Sequence, residues 1–223
     1  MSKQLEIASL FDLSHTIAAA LFDGKRYPWE VLKDIKGFIL QLGATLSADE
    51  FDHPAEDIWI ARDAKVAPSA CLNGPLIVDS GAEIRHCAFV RGSAIVGKNA
   101  VVGNSCELKN CVLFDNVQVP HFNYVGDSVL GFKAHMGAGS VTSNVKSDKK
   151  NIVIHSGSGI ETGLRKIGAM LGDRVEVGCN SVLNPGTIIG RDCIVYPTSC
   201  VRGVVPEKHI YKRGEGCVER IMD

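Results

Sequence analysis

The sequence has 223 residues, of which 45% are hydrophobic and 22% charged, and its formal net charge is -1. This length suffices for one large domain or for a small domain joined to a modest one. The balanced charge excludes a general affinity for nucleic acid or for an anionic membrane surface. No apolar run reaches the length of a transmembrane helix, and residues 1–6 lack the apolar core of a signal peptide. These features predict a cytoplasmic protein.

Eight cysteines are scattered along the chain. None belongs to a Cys-x-x-Cys pair, and four residues separate Cys106 from Cys111. In a reducing cytosol, such cysteines are most often free thiols that pack as small hydrophobic side chains. The spacing therefore supports neither disulfides nor a metal site.

Residues 1–57 are predicted to form a small helical segment. Asp12 can cap a short helix that runs through Leu21 and ends at Asp23-Gly24. A second helix is expected to start near Pro28, since proline is favoured in the first helical turn, and to end at Gly43. Its apolar side chains recur at three- and four-residue steps, at Trp29, Leu32, Ile35, Ile39 and Leu42. We expect this segment to pack over one end of the domain that follows.

From Ile60 onward, apolar residues recur at every sixth position. They are Ile60, Val66, Leu72, Val78, Ile84, Val90, Val96, Val102, Leu108 and Phe114, and the pattern returns at Leu171, Val177, Leu183, Ile189, Val195 and Val201. A small side chain stands two residues before many of them, as at Ala82, Ala88 and Ala94. Period six suits a solenoid in which each six-residue unit forms one short flat side and turns a corner. Stacked coils would then bury a continuous aliphatic column.

This repeat resembles that of hexapeptide-repeat proteins, and the resemblance implies an all-β fold built on a single-stranded, left-handed parallel β-helix. We place the β-helix at residues 58–205 and a C-terminal tail at residues 206–223. The repeat is interrupted by a β-hairpin at about residues 148–168, where the strand-like Asn151–His155 precedes a Ser-Gly-Ser-Gly turn. Insertions in solenoids often lie on a binding face, so the hairpin is a candidate for shaping a site.

Several short motifs between residues 91 and 144 carry a closer resemblance. They are Val102-Gly103-Asn104, Glu107-Leu108-Lys109, the stretch from His121 to Asp127 (His-Phe-Asn-Tyr-Val-Gly-Asp), Gly137-Ala138-Gly139 and Thr142-Ser143-Asn144. This region resembles the acetyltransferase domain of the bifunctional glucosamine-1-phosphate acetyltransferase and UDP-N-acetylglucosamine pyrophosphorylase family. Asp148-Lys149-Lys150 and the stretch Thr162–Gly168 are similar to the archaeal sugar-1-phosphate nucleotidylyltransferases that carry such a domain. The resemblance covers roughly residues 25 to 210.

The resemblance implies an acetyl-CoA-dependent N-acetyltransferase acting on an amino-sugar 1-phosphate such as glucosamine 1-phosphate. His121 falls on the catalytic base, which takes a proton from the attacking amine, and Glu107 on the residue that orients it. Arg91 and Lys109 match the pair that holds the sugar phosphate. Tyr124 and Asn144 match residues that form hydrogen bonds to the sugar.

The resemblance also assigns the acetyl-CoA site. Ala138 and Cys179 fall on positions that line the cofactor groove, and Lys212 and Arg213 are expected to meet the cofactor phosphates. A homotrimer with sites between its subunits is implied, with small-molecule substrates, no nucleic acid or membrane partner and no metal needed for acetyl transfer.

Three departures from the bacterial pattern concern the sugar more than the chemistry. Pro120 replaces a glycine, His135 replaces an asparagine, and Val145-Lys146-Ser147 replaces Tyr-Asp-Gly. No Gly-rich phosphate loop occurs in the first sixty residues, so a nucleotidyltransferase half is not expected within this sequence.

Two other functions remain as alternatives at this stage. A non-catalytic sugar-nucleotide-binding or regulatory module would share the same fold, since a fold does not fix a function. A zinc hydratase of the γ-carbonic anhydrase type is disfavoured, because it needs a His-x4-His pair and the seven histidines include none.

Overall fold

The computed structural model describes residues 3–212, 214 and 216–221. From Ile58 to Lys212 the chain winds into a left-handed parallel β-helix, whose short strands stack in parallel on three faces. The predicted fold class is confirmed. Among the described residues, no helix is long and apolar enough to cross a membrane, and all eight cysteines are free.

Each face of the β-helix is a ladder of two- to four-residue strands, and two longer strands, Glu107–Leu113 and Tyr124–Leu130, turn the corner from the third face to the first. The first face contains Ile58–Ala61, Leu76–Val78, Ala94–Val96, the second halves of the two long strands, Ala169–Leu171, Thr187–Ile189 and Val204–Val205. The second face contains Lys65–Val66, Glu83–Ile84, Val101–Asn104, Gln118–His121, His135–Met136, Glu176–Val177, Ile194–Val195 and His209–Lys212. The third face contains Cys71–Leu72, Phe89–Val90, the first halves of the long strands, Val141–Thr142, Val182–Leu183 and Cys200–Val201.

Two antiparallel strands and one hairpin complete the sheets. Phe51–Ala55 pairs with Ile58–Ala61 at the start of the β-helix, and Gly216–Glu219 pairs with His209–Lys212 at its end. The stacking therefore continues past residue 205, where the repeat in the sequence fades. The predicted hairpin is present, with Val153–Ile154 paired to Ile160–Glu161.

Corner residues in the left-handed region of backbone space set the length of each coil. Ser93, Asn99 and Ser105 follow one another six residues apart with φ of 53°, and the next such residue, Asn110, comes after only five. The shorter step removes one residue from the coil. Consequently Leu113, and not the predicted Phe114, takes the inward position in register with Val96.

Phe114 lies one residue beyond that inward position and is still fully buried. Its ring packs against two aromatic rings of the N-terminal segment, with centroids 5.2 Å from that of Phe11 and 5.8 Å from that of Phe22. The prediction of an inward hexad residue was therefore wrong for Phe114, because a fixed period of six cannot register a shortened coil.

The N-terminal segment consists of short helical turns. Its 3₁₀ helices span Lys3–Leu5, Leu13–His15, Ala19–Phe22 and Pro28–Lys33, and its α-helices span Ile7–Leu10 and Ile35–Gly43. The second predicted helix does begin at Pro28 and end at Gly43, although it changes from 3₁₀ to α at Asp34.

The continuous first helix predicted through Leu21 does not form. Asp12 accepts a hydrogen bond from the Ser14 amide at 3.0 Å, and the Thr16 hydroxyl accepts one from the Ala18 amide at 3.1 Å. Such local side-chain bonds offer the backbone an alternative to the helix ladder. The stretch therefore folds as separate 3₁₀ turns.

The N-terminal segment lies along the first face of the β-helix and does not cover one end as we expected. The outward side chains of that face are apolar and almost completely buried, at Ile77, Ile95, Val112, Val129, Met170 and Ile188. Helix Ile35–Gly43 contacts the strands Leu76–Val78, Ala94–Val96 and Glu107–Leu113. Farther along, Asp173 accepts a hydrogen bond from the Asp12 amide at 2.9 Å. The face is thus an interior layer of the fold.

One buried carboxylate, directly after the strand Leu76–Val78, is only partly satisfied. Asp79 is 2% exposed, its Oδ1 accepts a hydrogen bond from the Ser80 amide at 2.7 Å, and its Oδ2 has no partner among the described residues. Burial raises the pKa of Asp79 above its usual value of 3.8. A raised carboxyl pKa favours the folded state at low pH, and that advantage is lost as the pH rises through the folded-state value.

Asp79→Asn is therefore expected to stabilise the protein at pH 7 by about 1 kcal/mol, since it removes a buried charge that is half satisfied. The gain should shrink toward pH 3, where wild-type Asp79 is protonated. Urea unfolding across this pH range measures it. Asp63→Asn is a control for which the opposite change in stability is expected. The hydrogen bond from Ser80 lowers the pKa of the exposed Asp63 carboxyl, so loss of its charge should lower the stability at pH 7. A gain for Asp79→Asn that does not change with pH would contradict the assignment.

Candidate active site

His121 ends the strand Gln118–His121 at the corner between the second and third faces. Its amide donates to Asn123 Oδ1 at 3.0 Å, and its carbonyl accepts from the Gly139 amide at 3.0 Å. Asn123 is 3% exposed and donates from Nδ2 to the Gly137 and Ser140 carbonyls at 2.8 and 3.0 Å. The Asn123 side chain therefore fixes the turn that presents His121.

The imidazole of His121 faces solvent. Within the described ranges, its ring forms no hydrogen bond or ion pair, so both ring nitrogens are accessible. The next residue, Phe122, has a φ of 53° and is 63% exposed. A left-handed conformation costs a residue other than glycine about 1–2 kcal/mol. Here the hydrogen bond from the Phe122 amide to the Asn104 carbonyl, at 2.9 Å, helps to hold it.

A second group of polar side chains centres on Asp127, which is 3% exposed at the corner between the third and first faces. Lys109 Nζ lies 2.9 and 3.0 Å from the two carboxylate oxygens. Asn110 Nδ2 donates to Oδ1 at 2.9 Å, and Asn144 Nδ2 donates to Oδ2 at 2.6 Å. A buried carboxylate needs several such donors. Asp127 therefore holds three side chains in fixed positions.

Asn144 links this group to Tyr124. Its Nδ2 donates to the Tyr124 hydroxyl at 3.1 Å as well as to Asp127, and because the carboxylate can only accept, the orientation of the amide is determined. The Asn144 side-chain oxygen Oδ1 and the Tyr124 hydroxyl proton have no partner within the described residues and are available to a ligand. Burial is the main reason that the pKa of Tyr124 is raised, so the phenol stays protonated at neutral pH.

Arg91 and Glu107 form an ion pair on neighbouring coils, with Arg91 Nη1 2.9 Å from Glu107 Oε1. The hydrogen bond to Glu107 raises the pKa of Arg91. Glu107 is in register with Tyr124, so this pair adjoins the Asp127 group. The structure does not bring Glu107 to the His121 ring, and the orienting contact implied by the resemblance is not formed within the described part of the chain.

The residues predicted to line the cofactor groove follow His121 along the same corner. The Asn180 amide donates to the Ala138 carbonyl at 2.8 Å, one coil beyond the Gly139-to-His121 bond. His121, Ala138 and Cys179 therefore occupy equivalent positions on three successive coils, and Cys179 is exposed. Beside them a Cβ on Gly137 would lie 2.6 Å from the Cys179 backbone nitrogen. The strip is thus formed by backbone and small side chains.

Tyr196 and Lys212 lie on the same side of the molecule, on the coils that follow Cys179. Tyr196 is 44% exposed, and Lys212 Nζ lies 5.6 Å from the centroid of its ring. Arg213 lies outside the described residues. In the described ranges, no three or more His, Cys, Asp or Glu side chains are close enough together to hold a metal ion. His135 is outward on the second face, and its Nδ1 lies 2.8 Å from Glu176 Oε2.

Sequence reasoning missed the roles of Asn123 and Asp127, although both lie in the quoted stretch from His121 to Asp127. A signal was present, since each is a polar residue two positions away from the inward Val125. What the sequence could not reveal is that Asn123 holds the His121 turn, while Asp127 gathers Lys109, Asn110 and Asn144.

Comparison with known proteins shows what the chain is similar to. Residues 72–175 match the family model described as the GMPPB C-terminal domain. The chain is 30% identical over 192 residues to the bifunctional protein GlmU of Methanococcus maripaludis, covering 85% of this chain and 47% of that protein. It is 32% identical over 200 residues to the bifunctional sugar-1-phosphate nucleotidylyltransferase/acetyltransferase of Sulfurisphaera tokodaii, covering 80% and 50%.

A solved structure supports the fold. The polySia-specific acetyltransferase NeuO superposes with a TM-score of 0.51 at 14% identity, over 70% of this chain and 80% of that one. The chain spans about half the length of the curated relatives it matches. The resemblance found in the sequence is confirmed: the chain is a left-handed β-helix protein whose sequence is similar to that of the bifunctional GlmU and archaeal sugar-1-phosphate nucleotidylyltransferase/acetyltransferase proteins.

Proposed function

We propose that this chain is an acetyl-CoA-dependent N-acetyltransferase whose acceptor is an amino-sugar 1-phosphate such as glucosamine 1-phosphate. The observation that carries the proposal is the placement of an unpartnered imidazole and a preorganised polar group on one face. His121 lies three residues before Tyr124 on the same coil, and Tyr124 belongs to the group held by Asp127. The Sulfurisphaera tokodaii relative, a bifunctional sugar-1-phosphate nucleotidylyltransferase/acetyltransferase, supports the choice of acyl transfer and of a sugar phosphate.

The sugar would bind over the third face. The Tyr124 hydroxyl can donate and the Asn144 side-chain Oδ1 can accept, which suits sugar hydroxyls that do both. Arg91 and Lys109 would lie beside its phosphate. Because both cations are also bonded to carboxylates, their positions are set before substrate arrives, and little side-chain entropy remains to be lost on binding.

Acetyl-CoA would lie along the strip formed by Ala138 and Cys179, with its thioester toward His121. A strip without bulky side chains lets an extended ligand approach the backbone closely. The exposed ring of Tyr196 and the ammonium of Lys212 stand farther along the same corner, where an adenine ring and phosphates have complementary chemistry. The Cys179 thiol would contact the cofactor without forming a covalent intermediate.

In the reaction the amine nitrogen attacks the thioester carbonyl, a C–N bond forms, and the C–S bond breaks. His121 takes the proton that the amine loses, and the departing thiolate of coenzyme A receives a proton in turn. Backbone N–H groups near the thioester would stabilise the tetrahedral oxyanion.

We also propose that the active form is a homotrimer, as the resemblance implies, with each site completed by a neighbouring subunit. The exposed Phe122 next to His121 suits burial against such a neighbour. Glu107 would then act mainly through Arg91, whose guanidinium it holds in place.

Thiol release from acetyl-CoA in the presence of glucosamine 1-phosphate tests the proposal. Turnover is expected with this acceptor and not with N-acetylglucosamine 1-phosphate, in which the same nitrogen is already acylated. Release that does not depend on a free amine would contradict N-acetyl transfer. Absence of turnover across a panel of amino-sugar phosphates would favour the sugar-nucleotide-binding module instead.

A further inference from the structure

Asn110 connects the N-terminal segment to the polar group around Asp127. Its side-chain Nδ2 donates to the Leu32 carbonyl at 3.2 Å and to Asp127 Oδ1 at 2.9 Å. Because a carbonyl oxygen and a carboxylate oxygen can only accept, the orientation of the Asn110 amide is determined. The two hydrogens of one amide group therefore serve two different layers of the fold.

The backbone places Asn110 where it can form both hydrogen bonds. Cys111 pairs with Ser128, so the residues just before them, Asn110 and Asp127, occupy equivalent corner positions on neighbouring coils. Both have a left-handed backbone, with φ of 50° and 48°, a conformation that Asn and Asp adopt more readily than most residues with a side chain. The step from Ser105 to Asn110 is the shortened one. The missing residue and the connection to the N-terminal segment thus occur on the same coil.

The 3₁₀ helix Pro28–Lys33 packs against the strand Tyr124–Leu130, which carries Asp127. Leu32 in this helix is 4% exposed, so burial of its side chain anchors the carbonyl that Asn110 contacts. A displacement of this helix would remove one partner of Asn110 and let its amide turn away from Asp127.

We propose that Asn110 is a positioning residue for the acceptor, and that it makes acceptor affinity depend on the docking of the N-terminal segment. The inference rests on the proposed function, in which Lys109 holds the phosphate and Asn144 the sugar. Asp127 is 3% exposed and binds both of these side chains, at 2.9 and 2.6 Å. A buried carboxylate that loses one of its three donors draws the other two closer to compensate. Asn110 thus acts on the acceptor through Asp127.

Asn110→Gly tests the positioning role, because it removes the amide while glycine adopts the left-handed backbone without steric strain. The variant should raise the KM for glucosamine 1-phosphate about tenfold, the effect of losing a hydrogen bond to a charged group. Its kcat and its KM for acetyl-CoA should stay within about twofold. A general defect in the fold would instead change the KM values of both substrates.

Asn116→Gly is the matched control for this variant. Asn116 has a φ of 59° and lies at the corner between the first and second faces. Within the described ranges its side chain forms no hydrogen bond, so its loss should leave kcat and both KM values unchanged.

Hydrogen exchange tests the connection to the N-terminal segment without turnover. A coupling free energy is reciprocal, so saturating glucosamine 1-phosphate should slow amide exchange in residues 28–36 of the wild type by about the same factor, roughly tenfold. The slowing should persist in Asn116→Gly and be lost in Asn110→Gly.

Calorimetric titration with glucosamine 1-phosphate separates this inference from the proposed function. Binding about tenfold weaker in Asn110→Gly than in the wild type would support the positioning role even if no acetyl transfer were found. No binding by the wild type would overturn the proposed function together with this inference. Equal binding by the wild type and Asn110→Gly, exchange in residues 28–36 that the acceptor does not slow, or equal KM increases for both substrates would overturn the positioning role alone.

Discussion

Replacement of His121 with alanine is expected to lower kcat/KM for acetyl transfer by about 10²- to 10⁴-fold, the usual contribution of a positioned general base. The fold should not change, because the exposed imidazole forms no hydrogen bond, ion pair or ring contact with the rest of the described chain. The hydrogen bonds that hold the turn involve the His121 backbone and the Asn123 side chain, and alanine retains the former. The KM for acetyl-CoA should stay within about twofold, since the variant keeps the interactions that bind the cofactor equally in the ground state and the transition state.

His86 offers a matched control for this variant. It stands on the same corner as His121, two residues after an inward aliphatic side chain, and is followed by a residue with positive φ, Cys87. Like His121, it is exposed. His86→Ala should therefore leave the rate unchanged. A rate that survives in His121→Ala would assign the proton transfer to another group, and equal losses in both variants would point to a general effect on the fold.

The six-residue repeat was enough to predict a solenoid of stacked coils, because each inward position has to be filled by an aliphatic side chain, and the left hand of the β-helix came from the resemblance to hexapeptide-repeat proteins. Val90, Val96 and Val102 are all fully buried as the period requires. The repeat could not reveal where a coil loses a residue. That depends on corner residues such as Ser105 and Asn110, whose spacing of five is invisible until the backbone is known.

The candidate site, too, could be predicted from the sequence only in part. The resemblance brought together Lys109, Tyr124 and Asn144, and the structure does place these side chains around one point. The sequence could not show that Asp127 is this point, or that Arg91 pairs with Glu107 instead of leaving Glu107 for His121. Ion pairs between neighbouring coils depend on register, and the register here includes a shortened coil.

The covered first face is the largest feature that sequence reasoning missed, although its signal was present. The residue just before an inward aliphatic one is apolar at Ile77, Ile95 and Val112, one coil apart. On the second face the equivalent residues include Glu83, Gln118 and Glu176. An apolar residue repeated once per coil indicates a face that another layer covers.

Ile95→Ala is expected to destabilise the protein by about 2–5 kcal/mol, as large-to-small changes in a close-packed core do. The Ile95 side chain points away from the β-helix interior, between the inward Ala94 and Val96 strand neighbours, yet it is fully buried beneath helix Ile35–Gly43. Urea unfolding measures the change as a lower midpoint with an unchanged slope.

The comparison with Ile194→Ala decides whether that loss comes from the N-terminal layer. Ile194 is the residue before the inward Val195 on the second face, as Ile95 is before Val96 on the first, but it is only half-buried. Its replacement should cost about 1 kcal/mol or less. Equal losses would mean that the outward isoleucines contribute through the strands alone. A clear excess for Ile95 would show that the segment before residue 57 is a structural layer of the β-helix, which in turn holds the Leu32 carbonyl against the Asn110 side chain.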